Sequence, residues 1–270
     1  MNAKKLCVIL GFLIMALVAV PGSVSAEMYV EGFIGGAQPG NSGDVFITKH
    51  PGTNFNELHN PIGIYDPQVI GGVKVGTWFV KEGVLGFNYP DWMKYLGFYL
   101  EFSYHRLNNP NQGAHTASFT PTNSTSTPSV FSSEGMAATL AFMFSGRYGL
   151  LKDSEVPFGR LQPYIGVGPA VIFTSMNPQI LTQTINGQSF GVKPGNQSAA
   201  SLGICTELGF RWMALKNVSI DLFYTFRYIR PTYKYNYNDP ITGAATSIEM
   251  TPGSGGNEIH SGNVGVAYHF

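Results

Sequence analysis

Val218-Ser219-Ile220-Asp221-Leu222-Phe223-Tyr224-Thr225-Phe226-Arg227-Tyr228 alternates without a break. Val218, Ile220, Leu222, Tyr224, Phe226 and Tyr228 fall on one face. Ser219, Asp221, Phe223, Thr225 and Arg227 fall on the other. A period of two is the signature of a β-strand between two unlike environments. The same alternation recurs upstream, with Leu202, Ile204, Leu208, Phe210 and Trp212 against Ser201, Gly203, Glu207, Gly209 and Arg211. Further examples lie at 97–105, 135–145 and 161–173, and weaker ones at 28–36, 69–79 and 259–270. These eight segments predict an all-β, eight-stranded antiparallel up-and-down transmembrane barrel over residues 27–270, an even strand count being the rule for bacterial barrels.

The links between these segments alternate in length. Leu215-Lys216-Asn217 is a tight turn, whereas 107–133, 175–196 and 231–256 are long. Outer-membrane barrels show this asymmetry, with short periplasmic turns and long extracellular loops. Asn, Pro, Ser and Thr crowd the long links, as in residues 120–128, which predicts mobile, solvated loops there. Links 81–93 and 149–159 exceed an ordinary turn, and a short helix or an ordered tail is expected in them.

Residues 1–26 read as a secretory signal. Lys4 and Lys5 precede an apolar run from Leu6 to Val20, and Val24-Ser25-Ala26 supplies the small residues before a cleavage site. Spanning a bilayer takes about 20 apolar residues, so this run is short for an anchor. Cleavage before Glu27 leaves 244 residues, with 14 bases against 16 acids. It also removes Cys7 and leaves Cys205 alone, which excludes an intrachain disulfide.

Composition narrows the function. The full chain of 270 residues carries 16 basic and 16 acidic residues, and the charged share is only 12%. That balance excludes an ordinary nucleic-acid binder, which shows a basic excess. A hydrophobic share of 44% without net charge excludes a disordered chain.

Sorting charges by strand parity puts Glu31, Glu101, Glu207 and Asp221 on the less apolar face, together with Lys74, Arg147, Arg211 and Arg227. Four acids meeting four bases fits a lumen, where low dielectric makes pairing necessary. These eight residues are the candidate site, as structural or gating ion pairs. Pairing Ala214 with Val218 across the tight turn would set Arg211 opposite Asp221 and Glu207 diagonal to Arg227. A register slipped by one would turn charge toward lipid, where Arg costs ~2–4 kcal/mol at the midplane.

The last six residues are Gly265-Val266-Ala267-Tyr268-His269-Phe270, with Val266, Tyr268 and Phe270 on one face. Together with Gln162-Pro163-Tyr164-Ile165-Gly166-Val167-Gly168, this pattern resembles the small outer-membrane barrels of the OmpA and OmpX type. The resemblance implies a periplasmic N-terminus, an assembly signal at Val266, Tyr268 and Phe270 read by the barrel-assembly machinery, and contact with lipopolysaccharide. The sequence stops at the eighth strand, so the peptidoglycan-binding domain of the OmpA type is not expected. Expected partners are therefore outer-membrane lipid, lipopolysaccharide and the assembly machinery, with the chain a monomer in the outer membrane and no nucleic acid bound.

Catalytic signals are weak. His260 and Ser261 are adjacent, so alternation turns them to opposite faces, although a nucleophile and its base must touch. His50, His59, His105, His115 and His260 have no metal-ligand spacing and read as separate solvated residues near the loops. Gly71-Gly72-Val73-Lys74-Val75-Gly76 lacks the phosphate-loop spacing and reads as glycine packing in a strand. No cofactor, metal or catalytic residue is expected. Trp78, Phe79, Tyr148, Trp212, Tyr268 and Phe270 below, with Tyr104, Phe173 and Tyr228 above, are expected to form interfacial girdles. The expected role is structural or one of surface interaction. A narrow channel for small or hydrophobic solutes is the alternative, and a lipid A-modifying enzyme the third.

Overall fold

The computed structural model describes residues 27–40, 45–50, 55–59, 65–80, 89–120, 123–183, 189–238, 245–252 and 256–270. The expected signal segment, 1–26, lies outside the described residues. Eight strands form the wall: β1 (Glu27–Pro39), β2 (Gln68–Trp78), β3 (Leu96–Arg106), β4 (Asn123–Arg147), β5 (Leu161–Gln183), β6 (Gln197–Leu215), β7 (Val218–Ile229) and β8 (Asn257–His269). Each pairs antiparallel with its neighbours in sequence, and β1 pairs with β8. The sheet closes on itself, so every wall strand has a partner on both sides and no wall edge is left to aggregate.

The direction of the side chains is fixed by alternation. Leu222 is 60% exposed while its neighbour Asp221 is 0% exposed. Ile34, Leu208, Phe210, Val264 and Val266 likewise face out, and the buried core lies inside the barrel. Two glycines make room for it. A Cβ on Gly72 would collide with the Phe33 ring, and one on Gly76 with the ring of Tyr29 and the Cβ of Tyr99. The glycine-rich run Gly71–Gly76 is thus strand, with its open positions filled by aromatic rings.

The register across the tight turn sets Arg211 opposite Asp221, Trp212 opposite Ile220 and Phe210 opposite Leu222. One detail differs from the sequence expectation. Leu215, not Ala214, pairs with Val218, and the register shifts between Met213 and Leu215. A bulge absorbs the extra residue, so the inner register is unchanged.

The two ends of the barrel differ. At the loop end the wall strands overrun the barrel and are joined by shorter strands: Val45–His50, Phe55–His59, Asn109–Thr120, Ser189–Val192, Tyr233–Asn238 and Ala245–Pro252. Five of these make one ladder, running from 233–238 through 245–252, 45–50, 55–59 and 109–120 onto β4. Residues 123–128, expected in a mobile loop, are instead paired with 109–120, with Thr127 opposite Thr116. Neighbouring loop strands satisfy one another's backbone groups, and that outweighs their polar composition. At the turn end, Asp91–Tyr95 forms a short 3-10 helix and residues 149–160 a folded loop. In that loop Asp153 accepts from the Glu155 and Val156 amides, and Arg160 binds Asp153 and the Met213 carbonyl.

Candidate functional site: the barrel lumen

All eight candidate charges point inward and are buried. Five of them form one chain across the bore. Arg211 grips Asp221 through Nε and Nη2, at 2.8 and 2.6 Å from Oδ2, and its Nη2 also lies 3.2 Å from Glu31 Oε2. Glu31 Oε1 sits 3.1 Å from Lys74 Nζ, which donates to Glu207 Oε1 at 2.8 Å. Lys74 Nζ also stands 3.3 Å from the Phe223 ring centroid, and the Arg211 guanidinium 4.4 Å from that of Tyr29. Each cation therefore meets carboxylates and, beside them, an aromatic face, which offsets part of its lost hydration.

Arg227 and Glu101 form a second pair at 2.5 Å, and Arg227 Nη1 donates to Ser261 Oγ. The register keeps Arg227 diagonal to Glu207, since Cys205 lies opposite Arg227 and Thr225 opposite Glu207. Geometry nevertheless assigns Arg227 to Glu101 and Glu207 to Lys74.

Arg147 closes the turn end. It donates from Nη1 and Nη2 to the two oxygens of Glu27 at 2.6 and 2.5 Å, and to Gln162 Oε1 at 3.1 Å. Its guanidinium lies 4.1 Å from the ring centroids of both Trp78 and Phe158. None of these four partners was among the site residues expected from sequence. Glu27 lies one residue before the segment read as strand, and its 27% exposed side chain adds a fifth acid at the rim. Trp78 was expected in an outer girdle but is buried inside, because strand parity turns it toward Arg147. Phe158 arrives from the folded loop, where no periodicity could reveal it.

The other end of the bore contains no charge pair among the described residues. Ile70, Ile172, Ile229, Ile259 and Leu107 fill it. Tyr233 and Tyr235, from the strand 233–238, are buried with them and donate to Thr174 Oγ1 at 2.8 Å and to the Met176 carbonyl at 3.2 Å. His105, expected to be solvated, is buried here, since its parity within β3 directs it inward. His260 faces out and hydrogen-bonds Tyr224, whereas Ser261 is buried, so the two do turn to opposite sides. The ladder sets His59 opposite His115, and the side chains of His50, His59 and His115 lie outside the described ones. No group of His, Cys, Asp and Glu among the described residues is arranged to hold a metal.

No protein-family model matches the sequence, and no curated protein matches it. Solved structures do. A major outer-membrane protein from Thermus thermophilus is 13% identical, over 91% of this chain and 100% of that one, with a TM-score of 0.47. The outer-membrane protein OprG from Pseudomonas aeruginosa is 13% identical over 92% of this chain and 98% of its own, at 0.45. Neisserial surface protein A is 11% identical over 90% and 97%, at 0.44. The fold is that of the small eight-stranded outer-membrane barrels. The closed strand order and the outward apolar face carry that statement by themselves.

Proposed function

We propose that the chain is an integral outer-membrane protein whose closed barrel acts as a scaffold, holding the loop-end sheet outside the cell for surface contacts. The observation that supports this most directly is the inverted burial: apolar side chains line the outside while four acids and four bases are buried within, with Glu27 at the rim. In water such a barrel would expose its greasiest face. In lipid the same face is solvated by acyl chains, and the closed ladder satisfies every spanning backbone group. The expected signal at 1–26 and the outward-facing Val266, Tyr268 and Phe270 fit export, removal of the signal before Glu27, and insertion by the barrel-assembly machinery as a monomer. Membrane lipid and lipopolysaccharide are then its immediate surroundings.

The filled bore favours a scaffold over a pore. Arg147 with Trp78 and Phe158 blocks one end, and the isoleucines with Tyr233 and Tyr235 block the other. A barrel of eight strands is just wide enough for its side chains to fill it. Catalysis is not part of this reading. Solute passage has one supporting feature: Lys74 lies between two carboxylates, Glu31 and Glu207, so its pairing could exchange.

Outer-membrane fractions run on SDS gels with and without boiling test the scaffold reading. A folded barrel migrates differently unboiled, and identical migration overturns the proposal. Planar-bilayer recordings separate the two roles, since steps well above leak would replace the scaffold by a channel.

A further inference from the structure

A groove of about 380 Å³ opens on the outer wall at the loop end, where β3, β4 and β5 meet the start of β6. Its lower lip is the last of the apolar belt: Tyr104 and Met136, both exposed, with the phenol donating to the Met136 sulfur at 3.7 Å. Above this lip the lining turns polar. Arg106 stands opposite Met136 across the β3–β4 ladder, and Glu134 stands opposite Asn177 across β4–β5. Asn108 and Asn196 complete the sides. Ser175 lines it too, buried to 5% relative exposure. Neither Arg106 nor Glu134 has an ion-pair partner among the described residues. A base, an acid, amides and a hydroxyl thus converge on one volume with capacity to spare.

That chemistry is selective. Carboxamides both donate and accept, as hydroxyl-rich ligands require, and a guanidinium matches a phosphate in two-pronged fashion. The volume falls within the range of small-ligand sites. An apolar lip directly beneath calls for a ligand with acyl chains below its headgroup. We infer that this groove binds the phosphorylated sugar headgroup of an outer-leaflet glycolipid, with Arg106 on the phosphate, Asn177, Asn196 and Ser175 on sugar hydroxyls, and the acyl chains along Tyr104 and Met136. This rests on the outer-membrane reading above and names a site within it.

The test uses the full chain purified from membranes, placed in phosphatidylcholine nanodiscs, and titrated calorimetrically with deacylated lipopolysaccharide. Saturable binding is expected, weakened about tenfold or more by the double change Arg106→Ala and Asn177→Ala, the loss of a charge-assisted hydrogen bond. His260→Ala, on the far wall, leaves it unchanged. Absence of binding, equal weakening by His260→Ala, or equal binding of a neutral maltooligosaccharide each overturns the site. The same discs are run unboiled on SDS gels. A heat-modifiable barrel without binding removes the groove alone, and a barrel that never shows the shift removes both readings.

Discussion

From the turn end to the middle of the bore, up to the level where Arg227 meets Ile259, eight charged side chains are taken out of water and held by one another, by Glu27 at the rim, by hydroxyls and by ring faces. At the loop end the same bore is filled mainly by isoleucines, a leucine and two tyrosines, with Thr174 and His105 among them and no ion pair among the described residues. The wall around both halves is the same eight-stranded ladder, so the difference lies entirely in the inward positions. Apolar filling gains stability in proportion to area and loses it gradually when trimmed. A charge network is held only while complete, because each partner has lost its hydration already. The barrel therefore combines a half that tolerates change with a half that does not.

The most damaging way to break this contrast is Arg211→Met. It leaves Asp221 buried with its ion-pair partner gone and Glu31 with Lys74 alone, and about 3–5 kcal/mol of stability should be lost. Urea unfolding in detergent, followed by the gel shift, measures it. Adding Asp221→Asn should restore more than half, because the stranded charge is then removed as well. A single change costing under about 1 kcal/mol would mean that the network is hydrated from within, and the contrast would fail.

The loop end should respond differently. Ile172 and Ile229 both pack over Gly203, whose absent side chain leaves them space. Ile229→Ala should cost about 2–5 kcal/mol, depending on how far the site collapses. No second removal should rescue it: Ile172→Ala adds a further loss in the same unfolding assay. Rescue by a second truncation would show that this half, too, is a matched network.

How much of this could be read from the chain follows from the same physics. Every member of the eight-charge set was legible, because a strand repeats every two residues and one misplaced charge would face lipid. The register at Arg211 and Asp221 was legible from strand parity, although the turn itself closes with Leu215 opposite Val218 and a bulge takes up the extra residue. Trp78 lies inside although its place at a strand end suggests a girdle, because the step from Lys74 to Trp78 is even and puts both on the inner face. The pairing of 245–252 with 45–50 was not legible. It joins segments some 200 residues apart, and the Asn, Ser and Thr content around them signals loops. Phe158 on Arg147 was hidden for a related reason, since a folded loop has no period.

A milder perturbation acts on the tyrosines that cap the loop end. Burial pushes the phenols of Tyr233 and Tyr235 well above their ordinary value. A raised folded value means stability that is complete below the unfolded phenol value, about 10, and is lost as pH climbs beyond it. Ultraviolet titration should show these two phenols ionising above the ordinary phenol range, together with loosening of the loop-end sheet. Tyr235→Phe removes its bond to the Met176 carbonyl at a cost of about 1 kcal/mol and weakens that alkaline response. Phenols that all titrate together would place water in the loop end.

The smallest effect belongs to the ion cluster that sits in solvent at the turn end. Asp153 is held below the usual carboxylate range, first by the Val156 amide and then by Arg160. A lowered folded value means a contribution present above the unfolded value, about 3.9, and lost as pH falls toward the folded one. Protection of the Glu155 and Val156 amides against hydrogen exchange should therefore decline on acidification. Asp153→Asn keeps an acceptor for both amides but carries no charge, so its protection should be independent of pH in that window. Salt should erase the difference here and leave the Arg211–Asp221 pair untouched, because screening reaches exposed charges and not buried ones. Equal salt sensitivity at both places would mean that ions enter the bore, and the charged half would then be a wet conduit rather than a sealed floor.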